Sequence, residues 1–171
     1  MRLSRTLVPA VTLALVTACG GKAGSDDPTG PTSEKFSATL SPGAVVPATT
    51  STSTGAITFS SVPGDSIVSF SLSVTNMAGI TQAHLHSGAP GASGAILAWL
   101  LPVNGTAAQT PSVSLDGVIS LGDIAPSWVK GTPRIAIDSV KALMRKGLVY
   151  VDVHSSTFTN GELRGQLAKL P

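Results

Sequence analysis

The sequence predicts an all-β domain, a β-sandwich or Greek-key barrel with a single helical insertion. Three observations predict it. Seven to nine short segments alternate apolar and polar residues or run apolar for a few positions, clusters of Gly, Pro, Ser, Thr and Asn separate them, and only one segment has helical periodicity.

Taken in order, Lys35 to Leu40 alternates with Phe36, Ala38 and Leu40 on one face, and Ser41-Pro42-Gly43 ends it. The Ser/Thr-rich stretch from Pro47 to Gly55 reads as an exposed loop or an edge. Ala56 to Ser60 is the next strand, stopped by Pro63-Gly64-Asp65. Ser66 to Thr75 has the clearest alternation: Val68, Phe70, Leu72 and Val74 face a core while Ser69, Ser71, Ser73 and Thr75 face water, as in an antiparallel sheet.

Ile80 to His86 sets Gln82, His84 and His86 on one face and Ala83 and Leu85 on the other. A loop of turn formers, Gly88 to Gly94, leads to a buried strand from Ala95 to Leu101. Ser112 to Ile119 gives a further strand through Val113 and Leu115, and Gly122 to Pro133 reads as irregular, with Trp128 covering one end of the core. Asp138 to Lys146 is the predicted helix, with Asp138 or Ser139 as N-cap, Val140, Leu143 and Met144 as its apolar side, and Gly147 at the C-terminal cap. Lys141, Arg145 and Lys146 read as its solvated face, with contact to anionic headgroups as the alternative. Leu148 to His154 and Glu162 to Ala168 complete the sheet.

The first 33 residues read differently. Arg2 and Arg5 precede an apolar run, Leu7 to Val16, that is too short to span a bilayer as a mature helix, so residues 1–18 are expected to be a secretory signal. The run closes on Val16-Thr17-Ala18-Cys19, which resembles the lipobox of bacterial lipoproteins. That resemblance implies a lipidated Cys19 and a chain anchored to a membrane of the bacterial envelope, facing the periplasm or the cell surface. Cys19 is the single cysteine, so no disulfide forms within the chain. Residues 19–33, rich in Gly, Ser, Asp, Pro and Thr, have from Gly20 onward no apolar residue larger than alanine and read as a flexible tether, leaving 34–171 as the folded domain.

Charge excludes one class of partner. The chain has eleven basic and nine acidic residues, and loss of Arg2 and Arg5 with the signal leaves nine of each, so nothing favours nucleic acid.

The chain has three histidines, His84, His86 and His154. His84 and His86, two apart on a strand, project the same way, and His154 shares a face with Tyr150 and Asp152; Glu162 aligns with Arg164 and Gln166. If these strands are neighbours, three imidazoles and one or two carboxylates converge. Such a set suits zinc or copper(II), with His84, His86 and His154 as ligands and Asp152 or Glu162 as a ligand or as the group orienting a ring. The competing reading is a metal-free hydrogen-bonded network that pins strand register, with Arg164 paired to Glu162; a site for an organic ligand is the third. Enzymatic readings have less behind them. Three histidines are too few for a paired copper and zinc dismutase centre, no Gly-x-Ser-x-Gly elbow occurs, and the Ser87 to Gly91 loop lacks the setting of a phosphate loop.

Ala83-His84-Leu85-His86-Ser87-Gly88-Ala89-Pro90, taken with Leu148 to His154 and with Gly161-Glu162-Leu163-Arg164-Gly165-Gln166, resembles the CHRD domain. That module is repeated in chordin and occurs singly in many bacterial exported proteins. The resemblance covers about Lys35 to Leu170 and implies an immunoglobulin-like or superoxide-dismutase-like Greek-key sandwich. It implies little about activity: chordin is an extracellular binder of growth factors, and an envelope or extracellular protein partner is the corresponding expectation here. The chain departs from the pattern at Phe158, where relatives tend to carry a smaller or proline-containing turn. The expectation is thus a lipid-anchored extracytoplasmic binding module with a histidine-based copper or zinc site; a metal-free interaction module and, less favoured, a copper-dependent redox enzyme are the alternatives.

Overall fold

A computed structural model describes residues 32–102, 114–131 and 134–171. The signal segment, Cys19, the tether up to residue 31 and Val113 lie outside the described residues. Among the described residues nine strands form two antiparallel sheets: β1 (Glu34–Leu40), β2 (Thr54–Ser61), β3 (Val68–Ala78), β4 (Ile80–Ser87), β5 (Ile96–Leu101), β6 (Ser114–Ile124), β7 (Val149–Ser155), β8 (Leu163–Gln166) and β9 (Ala168–Lys169). The five-stranded sheet runs β6-β3-β2-β1-β9 and the four-stranded sheet β5-β4-β7-β8. One helix, α1 (Ile137–Arg145), precedes β7. The expectation of an all-β sandwich with one short helix is met.

The period-two pattern builds the core. Phe36, Leu40, Ile57, Phe59, Leu72 and Val74 project inward from the larger sheet, and Ala83, Leu85, Val149, Val151 and Val153 meet them from the smaller. Each fully buried Leu, Val or Phe contributes about 2 kcal/mol by leaving water. Trp128 packs at the edge of this core. The alternation that buries Ala83 and Leu85 also places His84 and His86 on the opposite face of β4.

Several expectations need correction. β6 continues to Ile124 where an irregular segment was expected. The reason is a bulge: Leu72 pairs with Ser120 and Ser73 with Val118, which leaves Ile119 over. Inward positions switch there from Leu115 and Ile119 to Ser120 and Ile124, breaking the period that a strand reading relies on. The last predicted strand is two. It breaks at the buried Leu167, after which Ala168 and Lys169 cross to pair with Ser37 and Phe36 of the other sheet.

The helix starts one residue earlier than expected, with Ala136 at the N-cap and no side-chain cap. Asp138 instead sits in the first turn, where a carboxylate faces the positive end of the helix dipole. Its C-terminus is a Schellman motif: the N–H of Leu148 bonds the Leu143 carbonyl, that of Gly147 bonds Met144, and Gly147 takes the left-handed φ of 66°.

Lys141 is not on a solvated face. It is buried, and its ammonium donates to the carbonyls of Val62 and Asp65, tying the helix to the turn between β2 and β3. Arg145 does face outward, paired with Glu34.

Candidate functional site

Register in the four-stranded sheet sets the site. Across β5, β4, β7 and β8 one row reads Trp99, His84, Asp152, Arg164; the next reads His86, Tyr150, Gln166 across three strands; and Gln82 lies opposite His154. All project from the face away from the core, yet His84, His86, Tyr150 and Arg164 are buried there.

Asp152 is the centre of the group. Its Oδ1 lies 3.1 Å from His84 Nδ1, and its Oδ2 lies 3.0 Å from His86 Nε2 and 3.2 Å from His154 Nε2. One carboxylate therefore meets three imidazoles. The other nitrogen of each ring faces an acceptor: Gln82 Oε1 at 3.1 Å from His84 Nε2, the Gly94 carbonyl at 2.9 Å from His86 Nδ1, and the Thr159 carbonyl at 2.8 Å from His154 Nδ1.

These partners decide the tautomers. A backbone carbonyl only accepts, so Nδ1 of His86 and of His154 carries the proton; with the Gln82 carboxamide oxygen turned toward the ring, Nε2 of His84 does the same. Neutral rings would then leave three unprotonated nitrogens 3.0–3.2 Å from the Asp152 oxygens, an arrangement that repels. The Nε2 atoms of His86 and His154 are buried and not aligned for a hydrogen bond despite their closeness to Asp152. Positive charge is needed among these atoms, as protons or as a metal ion.

Electrostatics of the metal-free cluster agree. Burial alone would push the Asp152 carboxyl up, but the three histidines outweigh it and hold the group well below the usual carboxylate range. Burial would push His154 down, but Asp152 outweighs that and raises it.

Aromatic rings fix the histidines from the sides. Trp99 meets His84 edge to face with centroids 4.4 Å apart, and Tyr150 stacks on His86 at 4.8 Å. The Arg164 guanidinium covers the Tyr150 ring at 3.6 Å and donates to the Ala92 carbonyl. The loop from Gly88 to Gly94 is thereby held over the cluster: Tyr150 Oη accepts from the Gly94 N–H, and Gln166 Nε2 donates to the Gly88 carbonyl.

The expected site residues thus separate into two groups. His84, His86, His154, Asp152 and Tyr150 come together directly, and Arg164 reaches the cluster through Tyr150. Gln166 braces the covering loop and does not face Asp152.

Glu162 is elsewhere, contrary to the alignment expected with Arg164. Gly161, at φ 116°, turns the chain just before β8, and the Glu162 carboxylate accepts from the hydroxyls of Ser51 and Ser53, both at 2.7 Å. Sequence reasoning missed Gln82, Gly94, Trp99 and Thr159, three of which act by orienting an imidazole through its far nitrogen. The alternation that places Gln82 beside His84 was visible; the two carbonyl acceptors carry no side-chain signal at all.

Among the described residues, His84, Asp152 and His154 offer ligand atoms that all lie within 4.8 Å of one another, a spacing that suits a metal ion. His86 adds a third ring nitrogen, the fourth donor atom, against the same carboxylate.

Fold and site define an antiparallel β-sandwich with a buried histidine–aspartate cluster on the outer face of its smaller sheet. The family model of the CHRD domain matches residues 36–167, and the chain belongs to that family. No curated protein and no solved structure matches it.

Proposed function

We propose that this domain binds a transition metal, copper(II) or zinc, through His84, His86 and His154, with Asp152 as a further ligand or as the counter-charge beside them. The observation that carries the reading is the orientation of the rings. Three imidazoles, each tied to an acceptor through one nitrogen, hold the other 3.0–3.2 Å from a single carboxylate. Anchoring the far N–H is what fixes a ligating imidazole and raises its basicity.

The donor set fits borderline ions that favour imidazole, and the buried setting excludes competing water. Bound metal would supply Lewis acidity or, for copper, a one-electron couple; the chain's own residues hold the rings in place and keep Asp152 ionised. A binding role needs nothing more than that.

A metal-free role has its own support. Protons shared between the histidines and Asp152 satisfy the same charges, and the cluster then locks β4 against β7 as the scaffold of an interaction module at the envelope. The exported, lipid-anchored setting rests on the sequence around Cys19, and Cys19→Ser is expected to release the chain from the membrane fraction.

The test is metal content by mass spectrometry of the full chain, purified without a histidine tag and titrated with copper(II) and zinc. The proposal expects one ion per chain, lost in His84→Ala and His154→Ala. Retention of the same stoichiometry in both variants, or absence of tight binding by either ion, would leave the metal-free scaffold as the reading.

A further inference from the structure

Next to the histidine cluster, residues 45–50 and 157–161 enclose a cleft of about 380 Å³. No ionisable side chain lines it. Its lining combines the apolar Val46, Pro47 and Phe158 with the hydroxyl- and carboxamide-bearing Thr50, Thr157 and Asn160. Val46 is left 52% exposed, and Thr50, Thr157 and Asn160 are exposed as well, so these groups are open to a ligand.

A smaller recess of about 60 Å³ shares Val45, Val46, Asn160 and Gly161 with the cleft and has Tyr150, Asp152 and Arg164 in its wall. The recess thus adjoins the cleft on the side of the histidine cluster. One loop is coupled to the cluster, because the Thr159 carbonyl accepts from His154; the other is tied to the start of β8, where the Thr49 hydroxyl donates to the Glu162 carbonyl.

We infer that this cleft is a binding site for a neutral carbohydrate. Its volume lies within the range of small-molecule sites, roughly 300–1,000 Å³. A charged ligand would lose hydration against walls that offer no counter-charge. A purely apolar one would cover the threonine hydroxyls and the Asn160 amide without giving them partners. A saccharide meets both demands, because its hydroxyls donate and accept as Thr and Asn do, while its C–H face lies against an aromatic ring. The inference does not depend on bound metal.

The experiment is an amide NMR titration of the full chain in a zwitterionic detergent, metal-free and with zinc, using cellobiose, maltose, lactose and diacetylchitobiose as probes. At least one of them is expected to shift the amides of residues 45–50 and 157–161 in the metal-free protein with a Kd of about 1 mM or below. Phe158→Ala should weaken that binding about tenfold. Asn160→Ala, on the surface and away from the core, should weaken it less, and Thr58→Ala on the other sheet should leave it unchanged. Failure of all four sugars to move these amides at about 20 mM would overturn the inference. So would binding that survives unchanged in both Phe158→Ala and Asn160→Ala, or shifts that arise only with zinc and stay around His154.

Discussion

Tyr150 lies flat on His86, with ring planes inclined by 8° and centroids 4.8 Å apart, while the Arg164 guanidinium covers the tyrosine ring at 3.6 Å. Cation, phenol and imidazole form one stack, which ties the orientation of His86 to two further side chains. Replacing Tyr150 by alanine removes the stack and leaves a cavity, and is expected to cost about 3–5 kcal/mol of stability. Tyr150→Phe keeps the rings and loses only the hydroxyl that accepts from Gly94, costing about 1 kcal/mol. Urea unfolding of the two variants checks the ratio.

Trp99 gives the cluster an optical reporter. Its ring meets His84 at 4.4 Å, whereas Trp128, the other tryptophan, lines a small pocket together with Trp99. Copper(II) bound at the histidines is expected to quench the Trp99 component of the fluorescence. Trp99→Phe should abolish most of the response, and zinc, which is diamagnetic, should produce far less. Quenching that is unchanged in both Trp99→Phe and His84→Ala would place the copper away from His84.

Gly94 positions His86 through its backbone. A Cβ there would stand 1.6 Å from the Ser87 carbonyl oxygen, so alanine forces the loop outward and draws the Gly94 carbonyl off His86 Nδ1. Gly94→Ala is expected to destabilise the domain by about 3 kcal/mol and to weaken metal binding together with it. Thermal unfolding and a zinc titration of the same variant measure the two effects.

Glu34 carries an acid-dependent part of the stability. Hydrogen bonds from Arg145 and Lys169 lower its pKa from 4.5 to about 2. A carboxyl whose folded pKa is depressed contributes stability above its unfolded pKa and loses it as pH falls through the folded one. Glu34→Gln is therefore expected to lower the urea midpoint at neutral pH, and the difference from the parent chain should shrink between pH 4.5 and about 2. A difference that persists unchanged to pH 2 would show that it does not come from the ionised carboxylate.

Much of the fold was legible because one variable, the alternation of apolar residues, fixes both strand and face. Val68, Phe70, Leu72 and Val74 are buried as their spacing requires, and His84 and His86 fall together on the opposite face of β4 from Ala83 and Leu85. The elements that escaped are those where the period breaks. The bulge at Ile119 shifts the inward set by one residue, and Leu167 turns inward where the chain leaves one sheet for the other.

At the site, the convergence of His84, His86, His154 and Asp152 follows from two strands being neighbours, a long-range pairing that local pattern does not encode. Once β4 and β7 pair, the register puts His84 opposite Asp152. Lys141 and Glu162 misled for a common reason: a charged side chain was read as solvated or paired with its sequence neighbour, and each instead found partners far along the chain. Burial of such groups is decided by those distant partners.

The central claim is that the three ring nitrogens facing Asp152 are the ones that hold a cation. Long-range proton–nitrogen NMR of the full chain labelled with nitrogen-15 histidine, before and after zinc, tests it most directly. The account predicts Nδ1-protonated rings for His86 and His154 in the metal-free protein, and with one equivalent of zinc a shift of Nδ1 of His84 and Nε2 of His86 and His154 to coordinated values. Three rings whose nitrogen resonances are indifferent to zinc would contradict it.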